Sequence, residues 1–143
     1  RPDRVIVGEV RGAEALDMLQ AMNTGHDGSL ATLHSNSPRD TLARLETMML
    51  MADVELPQRV LREQIASAVN FIVHLARFAD GSRRVTHISE IGGVDNGTVL
   101  LQDLFLTRRD DSRLQMRATG LMPQCKQEFF ERGVVLDAEL FAA

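Results

Sequence analysis

Apolar residues along this chain repeat with a helical period as far as Asn70 and with a strand period beyond it. The run Arg4-Val5-Ile6-Val7-Gly8-Glu9-Val10 is short, β-branched and bounded by polar residues, the pattern of a buried strand. From Ala13 to Asn23 the chain is rich in Ala, Leu and Met. Leu16, Leu19 and Met22 share one face there and Met18 sits near Met22, which predicts a buried helix. That helix stops at Thr24-Gly25, with Gly25 as its left-handed cap. His26-Asp27-Gly28 reads as a turn and Ser29 to His34 as a second short strand. Strand, helix and strand in this order predict a parallel crossover unit.

Ser37-Pro38-Arg39-Asp40 marks the next helix start. Ser37 can cap, Pro38 takes the first helical position, where no N–H is needed, and Asp40 can reach back as the acid of a capping box. The stripe Leu42, Leu45, Met49 and Ala52 follows, with Arg39, Arg44 and Glu46 off it, until Asp53-Val54-Glu55 breaks the pattern. A further helix from about Pro57 to Val69 is expected to bury Leu61, Ile65 and Ala68 and to expose Arg59, Arg62 and Glu63.

Beyond Asn70 the strand period predicts an antiparallel meander with one wet face. Phe71 to Phe78 and Arg84 to Ile91 flank Asp80-Gly81 as a hairpin, and Asp95-Asn96-Gly97 turns the chain into Thr98 to Leu106. Arg108 to Ser112 reads as a polar loop and Leu114 to Ala118 as a last strand. An amphipathic helix around Gln124 to Arg132, Gly133 and a short turn ending at Phe141 close the chain. The change of period divides residues 1–69 from 70–143.

Composition narrows the function classes. With 44% hydrophobic and 25% charged residues over 143 positions, the chain has a soluble globular composition rather than that of a disordered tail. Its net charge of -4 argues against broad binding of a phosphate backbone, so no nucleic-acid partner is expected. Cys125 alone excludes an internal disulfide framework and a cysteine-built zinc site. Apolar stretches are too short to span a bilayer, and no signal peptide precedes the first strand. The chain opens on Arg1-Pro2-Asp3 without an initiating Met, directly before an apolar run, and reads as a piece of something longer.

Glu9 ends the first strand. A carboxylate at the C-terminal end of a parallel strand lies on the edge where α/β sheets bind ligands, and such an acid can orient water or hold Mg²⁺ through water. Arg11 either neutralises phosphate charge or caps a surface loop. His34, at the end of a parallel second strand, falls beside Glu9, where an imidazole can donate to a phosphate oxygen. The alternative for His26 and His34 is that both are hydrogen-bonded loop and strand residues. A metal site would need a third ligand from His74, His87 or Cys125, none at ligand spacing. Glu63 and Glu90 have no partner by spacing and read as solvated.

Taken together, Arg1-Pro2-Asp3-Arg4-Val5-Ile6-Val7-Gly8-Glu9-Val10-Arg11-Gly12 resembles the Walker B segment of secretion and pilus-assembly ATPases. The segment from Gly25 to Asn36, carrying His26 and His34, resembles their histidine box. Between them, Ala15 to Thr24 is similar to the CpaF-type ATPases of tight-adherence (Flp) pili, and Ser37-Pro38-Arg39-Asp40 and Arg44-Leu45-Glu46 continue the likeness. Conjugation-type type IV secretion ATPases share the histidine box and the Gly-Glu strand ending.

The resemblance implies an α/β fold. Residues 1–69 are then the C-terminal part of a RecA-like P-loop NTPase core, followed over 70–143 by the β meander and C-terminal helix. It implies Glu9 as the acid that polarises the attacking water, His26 and His34 as histidine-box residues, and Arg11 and Gly8 in the nucleotide-binding loop. ATP and Mg are the implied cofactors, with magnesium reached indirectly because Gly8 stands where many P-loop ATPases carry Asp. The implied assembly is a homo-hexamer working on an inner-membrane platform protein from the cytoplasmic face. One departure matters: the P-loop Gly-x-x-x-x-Gly-Lys-Ser/Thr is absent, and Lys126, the only lysine, follows a cysteine. This chain is therefore expected not to hydrolyse ATP alone, to expose apolar surface near Arg1 to Val10, and to self-associate or lose order there. The reading from another class is a non-catalytic module for ring formation and platform docking. Arg39, Arg44, Arg83 and Arg84 are candidates for reaching a neighbouring subunit, the alternative for each being a solvated surface charge.

Overall fold

The computed structural model describes residues 2–53, 55–110 and 113–143. In chain order the elements are β1 (Ile6–Val7), α1 (Glu14–Asn23), β2 (Leu30–Ala31), α2 (Pro38–Leu50), α3 (Gln58–Ala68), β3 (Phe71–Arg77), β4 (Arg83–Asp95), β5 (Thr98–Asp110), β6 (Arg113–Ala118), α4 (Lys126–Glu131) and a 3-10 turn at Ala138–Phe141. The chain divides into two compact units. One comprises Arg1–Asn70 with Gly93–Leu100, the other Phe71–Gly92 with Leu101–Ala143. The tip of the β4–β5 hairpin thus belongs with the helices of the first unit.

In the first unit β1 and β2 pair in parallel, Ile6 opposite Leu30 and Val7 opposite Ala31, with α1 as the crossover. The strands are shorter than the apolar runs suggest, yet Val10 donates its N–H to the Thr32 carbonyl at 2.8 Å and Thr32 to Val7 at 3.3 Å. The two segments therefore run on side by side toward Glu9 and His34. Ile6 and Leu30 remain 75% and 65% exposed, so this part of the expected buried strand lies open on one face. Helices α1, α2 and α3 pack on one another, and Leu16, Leu19, Leu42, Leu45, Met49, Leu61 and Ile65 fill the space between them. Gly25 follows α1 at φ 86°, the left-handed cap anticipated from the sequence.

Ser37 caps α2 by accepting from Asp40 N–H at 3.0 Å, with Pro38 in the first turn. Asp40 departs from the box pattern: its carboxylate accepts from Asn36 N–H at 2.7 Å, one residue before the cap. The helix ends at Leu50, Asp53 takes a left-handed φ of 51°, and Val54 lies outside the described residues. Arg62 is not the exposed residue expected, and Ala68 is only half-buried. Arg62 Nε bonds Glu46 at 2.9 Å and its Nη1 donates to the Gly97 carbonyl at 2.6 Å. Arg39 donates in the same way to Val99 at 2.7 Å. The hairpin tip turns through Asn96 and Gly97, φ 46° and 75°, the two positive dihedrals of a tight two-residue turn.

In the second unit the sheet order is β3-β4-β5-β6, an antiparallel meander. A bulge falls between His74 and Leu75. The polar loop expected from Arg108 is instead the end of β5, which runs to Asp110 and pairs with β6; Asp111 and Ser112 lie outside the described residues. Cross-strand pairing there outweighs the polar composition, because a hairpin end satisfies its backbone with its partner whatever the side chains. The expected amphipathic helix shortens to α4, which buries none of its residues and leaves Phe130 63% exposed.

Candidate functional site

Glu9 and His34 leave the C-terminal ends of the two parallel segments, and the β1–β2 pairing sets them next to each other. His34 Nε2 lies 3.1 Å from Glu9 Oε1, and Arg11 Nη2 lies 2.5 Å from Oε2. Both carboxylate oxygens are engaged. The backbone around them is fixed by short-range bonds: the Thr32 hydroxyl donates to the Gly8 carbonyl, and Glu14 accepts from Arg11 N–H at 2.7 Å and Gly12 N–H at 3.1 Å. Ala13 offers α1 no side-chain cap, so the first-turn Glu14 takes up the two amides before the helix instead.

The cleft beside Glu9 has a volume of about 320 Å³ and is lined by Glu9, Val10, Arg11, His34, Arg44 and Met48. Arg44 and Met48 stand one turn apart on α2 and so face the same way. The Arg11 hydrogen bond holds the Glu9 carboxyl below the usual carboxylate range, against a smaller opposing effect of desolvation, and Glu9 in turn raises the Arg11 guanidinium. The Glu14 carboxyl is lowered by the amide of Arg11. Glu9 is thus ionised at neutral pH between two cationic or cation-forming groups, with a second guanidinium across the cleft.

Of the expected residues, Glu9, Arg11 and His34 come together. His26 does not line this cleft: its Nδ1 donates to the Ala21 carbonyl at 2.9 Å, at the C-terminal end of α1. Gly8 contributes backbone to the Glu9 segment, and a Cβ there would meet nothing within 4 Å. The sequence marked Arg44 as a candidate for reaching a neighbouring subunit, not as a wall of its own chain's cleft, and did not single out Glu14; the signals were the helical spacing from the Ser37 cap and an acid in a first helical turn. Glu63 is exposed, yet against the expectation it has a partner at helical spacing, Arg59, at 2.8 Å. Glu90 corrects the expectation of a solvated side chain. It is 3% exposed and accepts from Gln102 Nε2 at 2.6 Å, Gln124 N–H at 2.8 Å and Cys125 N–H at 3.0 Å. These donors lie 12 to 35 positions away in sequence, so no local spacing could announce them. Among the described residues no cluster of three or more His, Cys, Asp or Glu could hold a metal ion.

The family described as Type II/IV secretion system protein matches residues 1–140. The chain belongs to this family. Conjugal transfer protein TrbB of Rhizobium radiobacter is 45% identical over 96 residues, 67% of this chain and 28% of that protein. A putative conjugal transfer protein of Mycobacterium tuberculosis is 44% identical over 89 residues, 62% of this chain and 25% of that protein. The crystal structure of the VirB11 ATPase from the Brucella suis type IV secretion system, in complex with sulphate, is similar with a TM-score of 0.60 and 30% identity. That likeness covers 63% of this chain and 28% of the other. The chain spans 25% to 28% of the length of each of these relatives, and it has the mixed α/β fold expected of it. None of its described helices is long and apolar enough to cross a membrane.

Proposed function

We propose that residues 1–69 are part of the ATP-hydrolysing core of a secretion motor, with Glu9 as the acid that takes the proton of the attacking water. The observation that carries this reading is the meeting of Glu9, Arg11 and His34 at the ends of two parallel strands, with Arg44 across the cleft. Two guanidiniums and an imidazole are donors suited to phosphate oxygens, and the carboxylate accepts from a water between them. Magnesium, when bound, neutralises charge on the phosphates, and Glu9 is the carboxylate that would hold it, through water. Arg11 and Arg44 balance negative charge on a terminal phosphate, and His34 donates to one of its oxygens. Gly8 lets the backbone approach without a side chain, and His26 braces the turn that leads into the His34 strand. The Gly-Lys cradle for the remaining phosphates is not in this sequence, so binding and turnover belong to a longer chain.

Relatives named as conjugal transfer and type IV secretion proteins favour a conjugation-type system. The Flp-pilus alternative rests on the segment Ala15 to Thr24. In either system the working assembly is a homo-hexamer at the cytoplasmic face of the inner membrane, docked on a platform protein. The second reading, a ring-forming or docking module without chemistry, is favoured by the absence of that Gly-Lys cradle. The deciding experiment measures Mg-ATP hydrolysis by the full-length parent. Glu9→Gln is expected to lower kcat by about 10² to 10⁴ with ATP binding retained, the range for loss of a general base. Turnover indifferent to Glu9 would put the docking module first.

A further inference from the structure

The second unit carries a concentration of arginine that neither the cleft at Glu9 nor the fold accounts for. Arg77 ends β3, Arg83 and Arg84 open β4, Arg108 and Arg109 close β5, and Arg113 opens β6. Antiparallel pairing brings all six to the same end of the sheet. Arg77 and Arg83 are direct cross-strand partners. Like charges placed opposite each other in a ladder oppose pairing, and nothing in the strand pattern requires arginine at both positions. The chain as a whole is acidic, so this end is a local reversal of sign.

A hollow of about 350 Å³ opens among these strands, lined by Asp80, Arg84, Arg109, Arg113, Leu114 and Gln115. Arg84 is tied at its rim, 3.5 Å from Asp80 and 3.0 Å from the Ser82 hydroxyl. The Ser82 hydroxyl and amide also bond Asp80 and hold its carboxyl below the usual range. In the ladder Arg109 stands opposite Leu114, and Arg113 opposite Asp110. Three guanidiniums from three successive strands, with the Gln115 amide beside them, present forked N–H donors to one small volume. Such forks match the oxygens of a phosphoryl group, and an anion seated there would relieve the repulsion among the arginines.

We propose that this hollow is a binding site for a phosphoryl group, separate from the cleft at Glu9 and independent of the ATPase reading. The phosphoryl group can be a free phosphate compound in solution or the phosphodiester of an anionic lipid headgroup. Both offer the same oxygens to the arginines of the hollow.

The test titrates the chain with inorganic pyrophosphate, following heat and the side-chain amide signal of Gln115, and floats it with vesicles of phosphatidylglycerol or of phosphatidylcholine alone. The Arg109→Gln/Arg113→Gln double variant changes exposed residues only, and Arg11→Gln/Arg44→Gln controls for phosphate binding at the Glu9 cleft. Expected is binding that shifts Gln115, falls at least tenfold in the Arg109/Arg113 variant and is retained in the Arg11/Arg44 variant. Pyrophosphate binding without flotation assigns a soluble ligand; flotation with phosphatidylglycerol but not phosphatidylcholine assigns a headgroup. The proposal is overturned if neither probe binds, if binding survives Arg109→Gln/Arg113→Gln, or if a poly-glutamate peptide competes as well as pyrophosphate, which would make the surface a site for acidic protein segments.

Discussion

Cys125 sits beside the buried Glu90 carboxylate, and its thiol is pushed up to about 11. Burial is the larger cause and the charge of Glu90 the next. A free thiol titrates near 8.5, so at that pH the unfolded chain is about half thiolate and the folded one well under a hundredth. Alkylation by iodoacetamide at pH 8.5 is therefore expected to run about a hundredfold slower in the folded chain than in urea. Glu90→Gln should narrow that gap, and equal rates with and without urea would refute the argument. A group whose folded value is raised stabilises the fold below its unfolded value. That contribution is lost as pH climbs from about 8.5 through about 11.

At the scale of elements, Arg39 and Arg62 tie the hairpin tip Gly93–Leu100 to α2 and α3 through the carbonyls of Val99 and Gly97. Arg62 also satisfies Glu46, and the two side chains are 30% and 15% exposed. Arg59, three residues earlier, pairs with Glu63 on the wet face at 80% exposure. Arg62→Ala removes a charged donor from a half-buried acid and a carbonyl, and is expected to cost about 1.5–3 kcal/mol in urea unfolding. Arg59→Ala should stay within about 0.5 kcal/mol. Equal losses would mean that the tip is not held by this contact. Both arginines looked alike in the sequence, each on a helix of ordinary amphipathic pattern. What separates them is a carbonyl 35 positions away, which no helical period encodes. Conversely, the Ser37 cap, the Gly25 cap and the Asn96-Gly97 turn were legible because each rests on residues within a few positions of one another.

For the molecule as a whole, the proposed chemistry is divided between what is in this chain and what is not. A carboxylate placed to activate water contributes little without the backbone cradle that positions the phosphates, since positioning dominates phosphoryl transfer. This chain alone is expected to release no phosphate from Mg-ATP above background in a sensitive assay, while the full-length parent turns over. Turnover by this chain that disappears in Glu9→Gln would show that the cleft needs no such cradle.

The sequence by itself determined the order of elements, the switch from crossover unit to meander, and the family, because periodicity, caps and motifs are written in neighbouring residues. It also named Glu9, Arg11 and His34, since strand ends can be read locally. Only the tertiary structure decided which charges lose water. Glu90 is buried and saturated by donors from β5 and from the segment before α4, Arg62 is shared between an acid and a hairpin tip, and Arg44 turns into the cleft. The physical reason is common to all three. A local pattern sets which face of an element a side chain occupies, whereas desolvation and pairing depend on what the rest of the chain brings against that face.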